Sequence, residues 1–152
     1  MSAPTCYNKI ELADSLLSSQ NSYEQENGYG VVMCPDEPSV EGLDPLVDAK
    51  LVYETHKICF AYVTLKPGGS VPASGFVTNE VDQIILCISG NGIAVYPDKV
   101  YDVFYDVAAY NHAGQPHKYI NTGTEDMILL VAYYADKFSE IGYKTVEVES
   151  FK

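Results

Sequence analysis

From residue 51 to residue 134 the chain is a succession of short β-branched and aromatic runs, each stopped by Gly, Pro or Asn. Runs at 51–54, 56–65, 81–88, 93–96 and 127–134 have a strand's composition, and 100–110 supplies one or two more. The breaks are Lys66-Pro67-Gly68-Gly69, Ser89-Gly90-Asn91-Gly92, Pro97-Asp98-Lys99 and Asn121-Thr122-Gly123. Runs this short and this punctuated bury little as helices. As antiparallel strands they close into a sandwich or a barrel. Ser89 to Gly92 reads as a hairpin turn. Residues 134–138 read as a helical turn, and 143–148 as a last strand.

The stretch Tyr110 to Asn121 carries the chemistry. Gly114 and Pro116 form a turn that delivers His117 to the first position of a short strand. Two residues on, Tyr119 shares its face. Imidazole titrates near neutrality, which suits proton transfer. Gln83, Ile85 and Cys87 likewise share one face of an earlier strand, with Gln83 as its polar anchor.

Composition excludes some partners. The chain has 152 residues, 9 basic against 21 acidic, for a net charge of −12. Nucleic acid and anionic membrane both need clustered Lys and Arg, so neither is expected. No run approaches membrane-spanning length, and no secretory leader is evident. Cys6, Cys34, Cys59 and Cys87 show no CxxC spacing, and the last two sit in apolar runs; they read as reduced core thiols of a cytoplasmic protein. Residues 1–45 read as an N-terminal arm, with a short helix at 10–17, a strand at 28–33 and an acidic, proline-bearing loop after it. Residues 46–152 read as one barrel domain.

The punctuation resembles the cupin family of small jelly-roll barrels over residues 66–134. The family's second motif ends in Gly, two residues, His, three residues, Asn, and Gly114, His117 and Asn121 stand at that spacing; His112 and Asp106 replace its Pro and its leading Gly. The first motif begins at Gly, passes through His-x-His and Glu, and ends at Gly. Pro67-Gly68-Gly69 and Gly90 match its ends, and Gln83 stands for the Glu. The His-x-His is missing; its positions are read as Ser74 with Phe76, or Phe76 with Thr78. The spacing also admits Glu80 as the acid.

The resemblance implies an all-β jelly-roll barrel acting on a small molecule. With one motif ligand left, the implied enzyme is metal-independent. It isomerises, cyclises or eliminates on an aromatic or polyketide-like substrate, with His117 as acid–base group, Gln83 orienting it and Tyr119 as second proton donor. Glu80, Phe76, Ile85, Cys87, Tyr62 and Tyr110 are the candidate substrate contacts. Two alternatives stay open. One is a divalent-metal oxygenase or lyase using His117 with two of Glu80, Gln83, His112 or His56. The other is a non-catalytic binding module. The resemblance also implies a homodimer, with Val31, Val32 and Met33 of the arm in the contact.

Overall fold

The computed structural model describes residues 32–55 and 57–148. The expected helix at 10–17, Cys6, Val31 and His56 lie outside the described residues, as does most of the strand expected at 28–33. What is described is all β apart from two single 3₁₀ turns, Cys34–Asp36 and Phe138–Glu140.

Two sheets face each other. The first is five-stranded, in the order β1 (Val47–Glu54), β2 (Cys59–Leu65), β10 (Met127–Tyr133), β5 (Gln83–Ser89), β8 (Ala108–Asn111). The second is four-stranded: β3 (Ser70–Val71), β9 (Lys118–Ile120), β6 (Asn91–Tyr96), β7 (Lys99–Phe104). A third pair, β4 (Phe76–Thr78) with β11 (Lys144–Val146), closes one end. Every pairing is antiparallel.

Strand alternation decides what faces inward. Ala61 and Leu65 of β2, Ile85 and Cys87 of β5, and Met127, Leu129 and Val131 of β10 are all at most 3% exposed. They meet Ala94, Tyr96, Val103 and Tyr119 of the opposite sheet in one core. Leu65 and Met127 are wholly buried, and each such side chain contributes about 1.5–3 kcal/mol. Burial also pushes the Cys87 thiol up, and that of Cys59 to about 11. The Cys87 S–H donates to Ser89 O at 3.3 Å, so these thiols are inert core residues.

Asn121, expected as part of a turn, is a fully buried staple. Its Nδ2 donates to Leu65 O and Glu125 O, both at 2.8 Å, and its Oδ1 accepts from the Gly123 N–H at 2.8 Å.

The segment Ser89 to Gly92 departs from its hairpin reading. Strands β5 and β6 do not pair; one belongs to each sheet, and Gly90 carries the chain across. Turn composition marks a sharp bend, and the bend is there, but nothing local says which strand is the next partner. Gly90 sits at φ +79°, and a Cβ there would run into the backbone of Asp126 and Met127. The left-handed conformation alone costs an L-residue about 1–2 kcal/mol. Gly90→Ala is therefore expected to lower the unfolding temperature by about 4 °C or more, measured by calorimetry. An unchanged transition would contradict the close approach.

Candidate active site

His117 stands where the second sheet meets the closing pair. Its backbone bridges Val77: the Val77 N–H donates to His117 O at 2.9 Å, and the His117 N–H to Val77 O at 3.0 Å. The imidazole is 2% exposed. Its Nδ1 lies 2.9 Å from Gln115 O. A carbonyl can only accept, so Nδ1 carries the proton and Nε2 keeps the lone pair. Burial pushes the His117 pKa below the ordinary histidine value, and the Gln115 carbonyl offsets part of this. The ring is neutral at neutral pH. Gln115, delivered by the Gly114–Pro116 turn, orients it; Gln83, expected in that role, does not.

Gln83 belongs to a different arrangement. Register places Tyr133, Gln83 and Asn111 side by side on β10, β5 and β8, where cross-strand Cβ atoms lie about 4.5–5.5 Å apart. Asn111 Nδ2 donates to Gln83 Oε1 and to the Tyr119 hydroxyl, both at 2.9 Å, and Asn111 Oδ1 accepts from the Tyr96 hydroxyl at 2.7 Å. The two sheets are thus tied by a buried polar network centred on Asn111. Burial pushes the Tyr133 hydroxyl up to about 12 and that of Tyr119 higher still. Neither ionises near neutrality. Tyr119 packs edge-on to His117, with centroids 5.9 Å apart.

Between His117 and this network lies a cavity of about 40 Å³. Gln83, Ile85, Tyr119 and Tyr133 form one part of its wall, Val77, Asn79 and His117 another, and Val63, Val71, Leu129 and Val131 the rest. That volume admits two or three water molecules, well short of the 300 Å³ or more of an ordinary ligand pocket. The lining holds no carboxylate and no cation.

Of the residues selected from sequence, the cavity gathers His117, Tyr119, Gln83 and Ile85. The others lie elsewhere. Glu80 is exposed, its side chain against Gly142 and its N–H donating to Ile141 O at 2.7 Å. Phe76 is buried under β11, opposite Val146. Cys87 lies in the core beyond the cavity lining. Tyr62, one residue out of phase with Ala61 and Val63, points to the outer face of its sheet. Tyr110 is 49% exposed and donates to the Asp82 carboxylate at 2.7 Å. That bond and the Ala113 N–H hold the Asp82 carboxyl below the usual carboxylate range. His112 is an exposed rim residue, edge-on to Tyr110.

Sequence reading missed Val77, Asn79, Tyr133 and Asn111. The motif spacing held the signal for two of them: three residues between the His-x-His and Gln83 place that pair at Val77 and Asn79. The positions read for it, Ser74 with Phe76 or Phe76 with Thr78, are one or more residues off. The cupin ligand positions that face this cavity are therefore Val77, Asn79, Gln83 and His117. An isopropyl group and two carboxamides, one committed to Asn111, make a poor donor set beside one imidazole. Among the described residues no group of three His, Cys, Asp or Glu is placed to hold a metal ion. A transition metal does not fit these residues.

No curated protein matches the chain in sequence. Among solved structures, it is similar to the polyketide cyclase RemF from Streptomyces resistomycificus at 15% identity and TM-score 0.64, over 78% of this chain and 85% of that one. It is similar to an uncharacterised protein with a double-stranded β-helix domain from Klebsiella pneumoniae at 16% identity and TM-score 0.64, over 82% and 100%. An RmlC-like cupin from Shewanella frigidimarina aligns at 9% identity and TM-score 0.60, over 76% and 96%. At such identities these likenesses establish the fold alone. The cupin domain family matches residues 61–133, a span that holds every residue lining the cavity. Residues 61–133 of the chain are a cupin domain.

Proposed function

We propose that this chain is a small-molecule enzyme in which His117 acts as a general base and acid without a resident metal. One observation carries the reading: a neutral, buried imidazole, fixed through Nδ1, with its Nε2 lone pair left for a water-poor cavity. Nε2 takes a proton from the substrate and returns it at another position. Isomerisation, cyclisation and elimination all reduce to that exchange. Tyr119 and Gln83 hold the wall through Asn111, and Tyr119, with its raised pKa, serves as a hydrogen-bonding group. The fold hosts many chemistries and does not choose among them. A polyketide cyclase among the similar structures favours an enolisable substrate. At about 40 Å³ the cavity receives only the reacting end of an aromatic or polyketide-like molecule; the rest lies toward the mouth. The non-catalytic alternative predicts the same cavity without proton exchange. Solvent deuterium uptake into a panel of enolisable aryl ketones separates the two. Wild-type protein is expected to accelerate uptake and His117→Gln is not; no acceleration on any ketone would sink the enzymatic reading.

The donor set gives a second expectation. Protein purified without chelator is expected to carry well under one transition metal per chain by mass spectrometry. Stoichiometric Zn, Fe, Ni or Mn would instead support the metal-dependent oxygenase or lyase.

The third expectation is a homodimer. The outer face of the five-stranded sheet exposes Ile84 and Tyr110, each more than 40% accessible, on the same face as the Tyr62–Leu130 pair. A second copy of this face would cover them. Light scattering at micromolar concentration is expected to give twice the chain mass, and a monomeric mass would refute it. We place the protein in the cytoplasm, where the three described cysteines, all free, would stay reduced. Among the described residues no helix is long and apolar enough to cross a membrane.

A further inference from the structure

Asn79 brings to the cavity wall a buried side-chain oxygen that the protein leaves unsatisfied. It is 3% exposed and lines the cavity with His117 and Gln83. Its backbone is committed: Asn79 O accepts from the Gly114 N–H at 2.7 Å. Its side-chain Oδ1 is the single buried side-chain nitrogen or oxygen without a hydrogen-bond partner among the described residues. Native proteins rarely tolerate such an atom, and where they do it calls for an explanation. The side-chain oxygen of Gln83, the other amide of the lining, accepts from Asn111 Nδ2.

Position explains what the atom is for. Val77 is paired with His117, so Asn79, two residues further on the same face, is a diagonal neighbour of the imidazole. Such neighbours stand about 7–8 Å apart at their Cα atoms, which leaves room for a ligand group between the carboxamide and the ring. His117 Nε2 and Asn79 Oδ1 are both acceptors, and the lining supplies no cation. A carboxylate or phosphate would meet these two lone pairs with no cation in the lining to neutralise its charge. A neutral hydroxyl-bearing group would donate to both.

We propose that Asn79 is a specificity-determining residue, selecting a neutral substrate that presents hydroxyl donors, phenolic or enolic, one to Asn79 Oδ1 and one to His117 Nε2. The proposal rests on the reading of His117 as the cavity base and names the substrate class that base would meet. The hydroxyls enter the cavity, and the ring or chain bearing them stays toward the mouth.

The test uses three probes of similar shape: resorcinol, 1,3-dimethoxybenzene, which cannot donate, and benzoate, which is anionic. Binding is followed by chemical-shift changes at His117, Val77 and Val131, with unfolding temperature measured in parallel. Resorcinol is expected to bind, and the other two at least tenfold more weakly. Asn79→Leu is expected to weaken resorcinol at least tenfold while raising the unfolding temperature, because it removes an orphaned buried atom and partly fills the cavity. A structural asparagine would give the opposite stability change. Equal binding of the three probes, or resorcinol binding unmoved by Asn79→Leu, overturns the assignment of Asn79 and leaves His117 in place. No shift with any probe overturns both this proposal and the cavity as a small-molecule site.

Discussion

His117→Ala is expected to lower turnover on the cognate substrate by about 10²–10⁴-fold, the usual worth of a positioned acid–base group. The fold should survive, since the ring lines a cavity and its backbone bridge to Val77 does not need the side chain. His117→Gln is expected to be as inactive while keeping more of the binding, because an amide can hydrogen-bond but cannot shuttle a proton. Gln115 supports the base through its backbone carbonyl, so Gln115→Ala is expected to have a much smaller effect. His112→Ala, at the rim, should retain near-normal turnover. The pH dependence follows from burial. His117 titrates below the ordinary value of about 6.5, so the base stays unprotonated to lower pH than a free histidine. Activity should therefore persist to lower pH than an ordinary histidine base would allow, and fall as pH drops through the lowered pKa. Stability has the same sign. Below pH 6.5 the unfolded chain takes up a proton that the native ring refuses, so stability falls as pH drops through this window and is fully present above it. In His117→Gln that contribution to the slope should vanish. Wild-type turnover by His117→Ala would leave the barrel acting through shape and binding alone.

The second large effect lies in the network. Asn111→Leu is expected to destabilise the protein by about 3–5 kcal/mol. It leaves Gln83 Oε1 and the hydroxyls of Tyr96 and Tyr119 without their shared partner in the core, each orphaned group costing about 1–3 kcal/mol. For a chain of this length that is a drop of about 10 °C in unfolding temperature. The penalty comes from abandoned partners, and their removal should recover part of it. Tyr96→Phe combined with Asn111→Leu is expected to cost less than the sum of the single changes, as contacting residues in one network do. Strict additivity, or a loss below about 1 kcal/mol for Asn111→Leu, would show that the network does not tie the sheets. Catalysis should suffer too, since Gln83 and Tyr119 form the wall opposite His117.

The strands of β2, β5, β6 and β10 were legible because apolar runs and turn residues are local signals, and each lies within a few residues of its expected place. The single segment 100–110 resolves into β7 and β8, parted by Asp106 at φ +73°. Strands β3 and β4 were not legible: two and three residues carry no periodicity, and they exist because β9, His117 and β11 pair with them. The site shows the same division. His117 follows from its turn and from the motif spacing. Phase along a strand would have excluded Tyr62, out of step with Ala61 and Val63. Asn111 could not be found from sequence, because its importance arises from register: it stands beside Gln83 on a neighbouring strand and opposite Tyr96 and Tyr119 on the other sheet. Asn79 was hidden by a one-residue error in placing a motif whose histidines are gone.

The central claim is a neutral His117 with its lone pair on Nε2 and no metal bound to it. Long-range ¹H–¹⁵N correlation spectra of the imidazole, recorded through a pH titration of protein purified without chelator, test it without knowledge of the substrate. The account predicts the Nδ1–H tautomer at pH 7 and a midpoint below 6.5. An imidazolium at pH 7, an Nε2–H tautomer, or an Nε2 resonance held by a metal would contradict it.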